Sequence, residues 1–159
     1  MKKLIGLLII ILILSACDEN KTNFQREASI YYGSELYKTE IFNRTVSKND
    51  DLLIYKYFSQ QDSSKVITIR YDKSLNKLIS LTDKFVINKN KKINELSLSD
   101  EEFDLFISEN PSEDSTGPIV FNEDYGLLAI NNSFGPTIIF LKNDKDKEIK
   151  NRILKKLNE

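Results

Sequence analysis

The chain has 159 residues, of which 40% are hydrophobic and 30% charged, as in an ordinary folded domain. It contains no histidine and one cysteine, and its formal net charge is −1. The absence of histidine excludes Ser-His-Asp and Cys-His catalysis and the HExxH zinc motif. A single cysteine excludes intramolecular disulfides and thiolate metal cages. We therefore expect no catalytic residues, no metal site and no cofactor.

The N-terminus has the pattern of an export signal. Lys2 and Lys3 precede an unbroken, mostly aliphatic run from Leu4 to Leu14. As a helix this run would measure about 16 Å, about half of the hydrocarbon core of a bilayer. The run is too short for a lone spanning helix and typical of the hydrophobic region of a signal peptide, which we assign to residues 1–16.

The residues that follow resemble the lipobox of bacterial lipoproteins. Leu14-Ser15-Ala16-Cys17 has an aliphatic residue, two small residues and then the only cysteine. The resemblance implies cleavage between Ala16 and Cys17 and a covalent diacylglyceryl group on the Cys17 sulfur, with the new amino group often acylated as well. Because two or more acyl chains anchor a protein stably, it predicts a lipid-anchored protein of the cell membrane or outer membrane, with its domain outside the cytoplasm. An ordinary signal peptide with a chance cysteine is the alternative, and the choice between the two membranes stays open.

The mature chain divides into a tether and one domain. Residues 17–25 predict a lipidated N-terminus with a flexible polar tether, and residues 26–159 predict a single domain. Within that domain, apolar and polar residues alternate over 66–71, which predicts a strand in an antiparallel hairpin with residues 52–58. Weaker strand signals lie at 29–32, 36–46 and 77–87, and the polar run 88–92 predicts a solvated turn.

Helical spacing follows in the second half of the domain. Ser99 and Glu102 resemble a capping box, and Phe103, Phe106 and Ile107 follow at the spacing of one helix face, which predicts a helix at about 99–109. Further strands are predicted near 119–121, 127–130 and 137–141, and a second amphipathic helix at about 145–157. The predicted fold is therefore α+β, a mainly antiparallel sheet with two amphipathic helices.

Charge is unevenly distributed along the domain. Residues 93–141 contain no lysine or arginine but ten acids. We expect an acidic surface within 95–124 that binds a basic protein or peptide. The candidate residues are Glu101, Glu102, Asp104, Glu113 and Asp114. The alternative is that folding interleaves these acids with lysines from neighbouring strands.

These features predict a non-enzymatic, lipid-anchored protein of the cell envelope. Its expected role is a protein- or peptide-binding module of the immunity or inhibitor type, with the membrane and a basic protein as partners and no nucleic acid. One alternative is a scaffold or assembly lipoprotein, which requires an exposed apolar patch. Another is a carboxylate-based hydrolase, which requires a cleft with two acids about 5–9.5 Å apart.

Overall fold

A computed structural model describes residues 24–94, 102–111, 116–142 and 147–158. Within these ranges ten strands form a closed barrel and one helix, α1, follows them. The strands are Phe24–Tyr32 (β1), Glu35–Asn49 (β2), Leu52–Ser59 (β3), Val66–Asp72 (β4), Lys77–Ser80 (β5), Asp83–Asn94 (β6), Glu102–Ser108 (β7), Thr116–Asn122 (β8), Gly126–Asn132 (β9) and Thr137–Leu141 (β10), and α1 is Lys147–Leu157.

The barrel is a simple antiparallel meander. Each strand pairs with the next along the chain, and β1 closes the barrel by pairing with β10, from Glu27 opposite Leu141 to Tyr31 opposite Thr137. Closure pairs strands that would otherwise be sheet edges. Because the strands alternate in direction, the β1–β2, β3–β4 and β9–β10 turns lie at one end, which we call the distal end. The first residue of β1 and the β8–β9 turn lie at the other, the proximal end.

Aromatic side chains form a large part of the core inside the barrel. The Phe121 ring lies 5.1 Å from the Tyr55 ring and 5.2 Å from the Tyr71 ring, measured between centroids. The Phe140 ring lies 5.7 Å from Phe42 and 5.0 Å from Tyr57. Most of these pairs meet edge to face or tilted, arrangements that add about 0.5–1.5 kcal/mol each beyond the burial of their surface.

A second apolar cluster lies outside the barrel wall, under α1. It joins the outward-facing residues of β1 and β6–β10 to four aliphatic side chains of the helix. Those four are Ile149, Ile153, Leu154 and Leu157, and all are buried. Strands β7–β10 consequently carry buried side chains on both faces.

The predicted α+β fold with two amphipathic helices is wrong, because residues 102–108 form strand β7. Phe103 joins the cluster under α1, Phe106 lies in the barrel core, and Ile107 is 39% exposed. A short apolar run that is buried on both faces has no periodicity to separate strand from helix. Residues 99–101 lie outside the described residues. The C-terminal helix is present as α1, and residues 145–146 before it also lie outside that part of the chain.

The structure confirms one of the other predicted elements and corrects two predicted boundaries. The hairpin of residues 52–58 and 66–71 is confirmed, with Leu53 opposite Tyr71 in β3 and β4. The predicted turn at 88–92 instead continues strand β6, which changes register against β7 between Ile87 and Lys92. Residues 24–25, predicted as tether, belong to β1.

Candidate binding site at the distal end of the barrel

A cavity of about 440 Å³ opens at the distal end of the barrel. This volume lies within the usual range of small-ligand sites, for which the mouths of barrels are a common location. We call the cavity and its opening the distal mouth. Its apolar lining includes Ile30, Phe42, Ile67, Pro136 and Ile138, and its polar lining includes Tyr32, Tyr37, Lys38, Glu40, Ser64 and Lys65.

A buried carboxylate lies in the wall of the distal mouth. Glu40 is only 5% exposed, and both Lys38 and Lys65 donate to its Oε1, Lys65 at 3.0 Å. The Ser59 hydroxyl lies 3.4 Å from Oε2. The hydrogen bond from Lys38, and secondarily that from Lys65, hold the pKa of Glu40 below its usual range although burial acts in the opposite direction. Burying a carboxylate without such partners lowers the stability of a protein by several kcal/mol, since removing one member of a buried ion pair typically costs about 3–5 kcal/mol.

The β1–β2 hairpin shapes the rim of the distal mouth. Gly33 in its turn has φ +60°, a conformation that glycine adopts without steric cost. Ile30 pairs with Lys38 whereas Tyr31 pairs with Leu36, so β2 carries an extra residue, Tyr37. Such a bulge redirects a side chain. The Tyr37 ring meets the Tyr32 ring edge to face at 5.4 Å.

Large apolar side chains are exposed at the same end. In the β1–β2 hairpin Leu36 is 54% and Tyr37 65% exposed, and in the β9–β10 turn Phe134 is 81% exposed. We call these three residues the distal rim. Exposed apolar groups that gather on neighbouring hairpins, unlike scattered single ones, are typical of interaction surfaces.

The proximal end is closed by two buried arginines. Arg26 donates from Nη2 to the Tyr125 carbonyl at 3.2 Å, and Arg44 donates from Nη1 to the carbonyls of Asp124, at 3.2 Å, and Tyr125. The Arg26 guanidinium also lies 4.9 Å from the centre of the Tyr125 ring. Burial, and secondarily the Arg44 charge, lower the pKa of Arg26. These contacts with the β8–β9 turn give both arginines a structural role.

Tyr57 belongs to this closed end and is wholly buried. Its hydroxyl accepts a hydrogen bond from the Leu127 amide at 2.7 Å. Burial raises the pKa of Tyr57 to about 12, so the hydroxyl stays neutral and serves as a fixed acceptor near neutral pH.

The predicted acidic surface is only partly within the described residues. Glu102 is exposed at the start of β7, and Asp104 is half-buried on the same strand face as Phe106. Glu101, Glu113 and Asp114 lie outside the described residues, as do Ala16 and Cys17. Two other acids of the lysine-free stretch pair with lysines from neighbouring elements: Glu109 with Lys77 at 2.7 Å and Glu123 with Lys73 at 2.6 Å. These pairs match the alternative in which folding interleaves the acids with lysines.

The lysine-free stretch itself has a packing explanation. It covers β7–β10, whose side chains lie against the barrel core on one face and under α1 on the other. Long cationic side chains are rarely buried, so lysine and arginine have few places in these strands. The acids of the stretch that the structure describes lie near strand ends and turns.

Sequence reasoning missed the residues of the distal mouth. Lys38 and Glu40 stand at alternate positions of β2 in phase with Phe42, which faces the barrel core. The sequence did offer a signal for this site, because two charged residues alternate in phase with a residue that faces the core. Lys65 could not have been added from the pattern, because it reaches Glu40 only through the β3–β4 turn, where the Ser59 amide donates to the Lys65 carbonyl at 3.1 Å.

The distal mouth combines apolar walls with a few charged groups. Among the described residues that line it, Glu40 is the single carboxylate, so the pair of acids that a carboxylate-based hydrolase requires is not assembled there. In the described ranges no three acidic or cysteine side chains come together in a group that could hold a metal ion. None of the helical segments in those ranges has the length and apolar character needed to span a membrane.

Sequence and structure were also compared with known proteins. Comparison with models of protein families, with curated proteins and with solved structures gives no significant match to this chain.

Proposed function

We propose that this protein is a non-enzymatic, lipid-anchored binding protein of the cell envelope that takes up its ligand through the distal mouth. The observation that carries the binding role is the open cavity of about 440 Å³ with apolar walls and charged groups at its opening. Ligand sites generally combine mostly apolar walls with a few polar groups that fix orientation.

The described chain enters the barrel at the end opposite the distal mouth. Strand β1 begins at Phe24 at the proximal end, and six residues separate it from Cys17. A chain of this length cannot place the Cys17 lipid more than about 25 Å from the start of β1. A lipid on Cys17 would therefore tether the barrel through its proximal end, an attachment that leaves the distal mouth accessible to a ligand.

Mass spectrometry of the N-terminus of the native protein tests the anchor. We expect a chain that begins at a diacylated or triacylated Cys17, and a Cys17→Ser variant that stays in the aqueous phase on detergent phase separation. A native chain with an unmodified Cys17 would contradict the lipid anchor and leave the binding role to be tested separately.

Titration with 8-anilinonaphthalene-1-sulfonate, a fluorescent probe with an apolar aromatic body and one negatively charged sulfonate, tests the distal mouth in the chain from residue 18 onward. We expect saturable binding that is lost on Ile138→Trp, because Ile138 lines the cavity and the larger ring fills it. The matched control is Ile107→Trp at an exposed position of β7, which should bind the probe as the unmodified chain does. Equal binding by both variants would exclude the distal mouth as the site.

A second candidate function is a scaffold or assembly protein, favoured by the exposed distal rim. A protein partner would then cover Leu36, Tyr37 and Phe134. Crosslinking in the native envelope distinguishes the two functions: a partner that is captured by the unmodified protein and lost with Leu36→Ser plus Phe134→Ser, while probe binding persists, supports the scaffold function. Capture that is unchanged by these substitutions counts against it.

A further inference from the structure

We propose that the ligand of the distal mouth is an amphipathic monoanion, an aliphatic carboxylate whose head group is held by Lys38 and Lys65 and whose chain enters the barrel. This inference rests on the proposed binding function and names the chemical class of the ligand for the same site.

The walls of the cavity favour an aliphatic chain as the apolar part of the ligand. Ile30, Phe42, Ile67 and Ile138 come from four different strands and converge on one space. A flexible aliphatic chain can fill a volume enclosed by such side chains and leaves water as it enters.

The two lysines at the opening select the head group. The Lys38 and Lys65 side chains are 38% and 43% exposed, so their ammonium groups remain in contact with solvent. Each ammonium has three N–H donors, and the contacts with Glu40 use one donor of each. The remaining donors can bind a carboxylate that arrives at the opening.

The net charge of the cavity lining favours a ligand with a single negative charge. The charged residues that line the cavity are Lys38, Lys65 and Glu40, a net charge of +1. Asp62 lies 3.7 Å from Lys65 but is not among the residues that line the cavity, and its side chain is 43% exposed, so water screens much of its effect. A carboxylate neutralises the cavity, whereas a cationic head would meet two ammonium groups and a phosphate dianion would exceed the available charge.

Calorimetric titration with decanoate, decanol and decyltrimethylammonium tests the ligand class, since the three share one chain length and differ in head-group charge. We expect decanoate to bind at least tenfold more tightly than decanol and decyltrimethylammonium to bind most weakly. We also expect the affinity for decanoate, and not that for decanol, to fall as the salt concentration rises.

Three variants locate the head group. Lys38→Gln and Lys65→Gln should each weaken decanoate about tenfold and leave decanol unchanged. Glu40→Gln should strengthen decanoate several-fold, because it removes the carboxylate that competes for both lysines. The control is Lys56→Gln on the exposed side of β3, which should change neither ligand. Circular dichroism establishes whether each variant is folded. If a variant is not folded, the salt dependence of decanoate binding to the unmodified chain still tests whether the head group is held by charge.

The possible failures are distinct. Equal affinity for decanoate and decanol, or tightest binding of decyltrimethylammonium, would overturn the anionic ligand while the mouth remains a binding site. If none of the three ligands binds and Ile138→Trp leaves binding of the fluorescent probe unchanged, the proposed function is overturned as well.

Discussion

The ammonium of Lys150 in α1 lies 2.9 Å from the carboxylate of Glu27 in β1, and the two side chains are only 6% and 11% exposed. This ion pair joins the helix to the strand that closes the barrel. Glu27 and Lys150 lie on the same two elements that contribute Tyr31, Ile149 and Ile153 to the apolar cluster under α1. The helix is therefore fixed to the barrel both by apolar packing and by a pair of buried charges.

Removing one member of this pair should be costly. Lys150→Met keeps most of the apolar length of the side chain but leaves the Glu27 carboxylate buried without its cation, and we expect it to lower the free energy of unfolding by about 3–5 kcal/mol. Adding Glu27→Leu to this variant should recover most of the loss, because the double substitution leaves no unpaired charge. Urea denaturation measures both values, and a single variant that loses less than about 1 kcal/mol would show that the pair is not effectively buried.

The apolar contact of α1 can be tested in the same way. Ile153 of α1 is fully buried against the outside of the barrel wall, and Ile153→Ala should destabilise the protein by about 2–5 kcal/mol because it leaves a cavity. Asn151→Ala, at an exposed position of the same helix, should change the free energy of unfolding by no more than about 0.5 kcal/mol. Equal effects of the two substitutions in thermal or urea denaturation would mean that α1 does not pack on the barrel.

Among the glycines that the structure describes, the two with positive φ make a matched comparison at opposite ends of the barrel. A Cβ at Gly126, where φ is +83°, would lie 2.5 Å from the Tyr57 hydroxyl and 2.8 Å from Nη1 of Arg44. A Cβ at Gly33, where φ is +60°, would meet nothing within 4 Å. Gly33→Ala should therefore cost only the backbone strain, about 1–2 kcal/mol, and Gly126→Ala about 1–3 kcal/mol more because of the close contacts. Equal losses in denaturation would contradict the tight closure of the proximal end.

The ionisation of Glu40 should make the free energy of unfolding depend on pH in the acidic range. Because its folded-state pKa is lowered, first by the hydrogen bond from Lys38, the ionised carboxylate stabilises the folded protein above its unfolded-state pKa of about 4.3. This contribution is lost as the pH falls through the lowered folded-state pKa. The free-energy difference between the unmodified protein and Glu40→Gln should therefore be larger near neutral pH than below about pH 4. Urea denaturation over a pH series measures it, and a difference that is constant with pH would show that Lys38 and Lys65 do not stabilise the ionised form.

The predictions that succeeded came from short-range patterns. The alternation in residues 66–71 and the polar link before it were sufficient for the β3–β4 hairpin, because a hairpin is set by its own strands and turn. The stripe of Ile149, Ile153, Leu154 and Leu157 was sufficient for α1, since these residues share one helix face.

The prediction of a helix at residues 99–109 was based on a capping-box pattern and on the spacing of three apolar residues, and it is wrong over residues 102–108. Phe103 and Phe106 point to opposite sides of β7 and are buried in different clusters, and nothing local to the strand reports that α1 covers its outer face. The packing of β7–β10 between the barrel core and α1 also accounts for the lack of lysine and arginine in these strands. The acidic surface within 95–124 stays a prediction.

By itself the sequence determined the β3–β4 hairpin and the amphipathic C-terminal helix, because each depends on neighbouring residues. The export signal and the lipid on Cys17 stay predictions. Only the tertiary structure decided that the strands close into a barrel, since β1 and β10 pair across more than a hundred residues. It also decided the distal mouth: Lys38, Glu40 and Lys65 meet through the pairing of three strands, and pairing between distant strands depends on the packing of the whole chain.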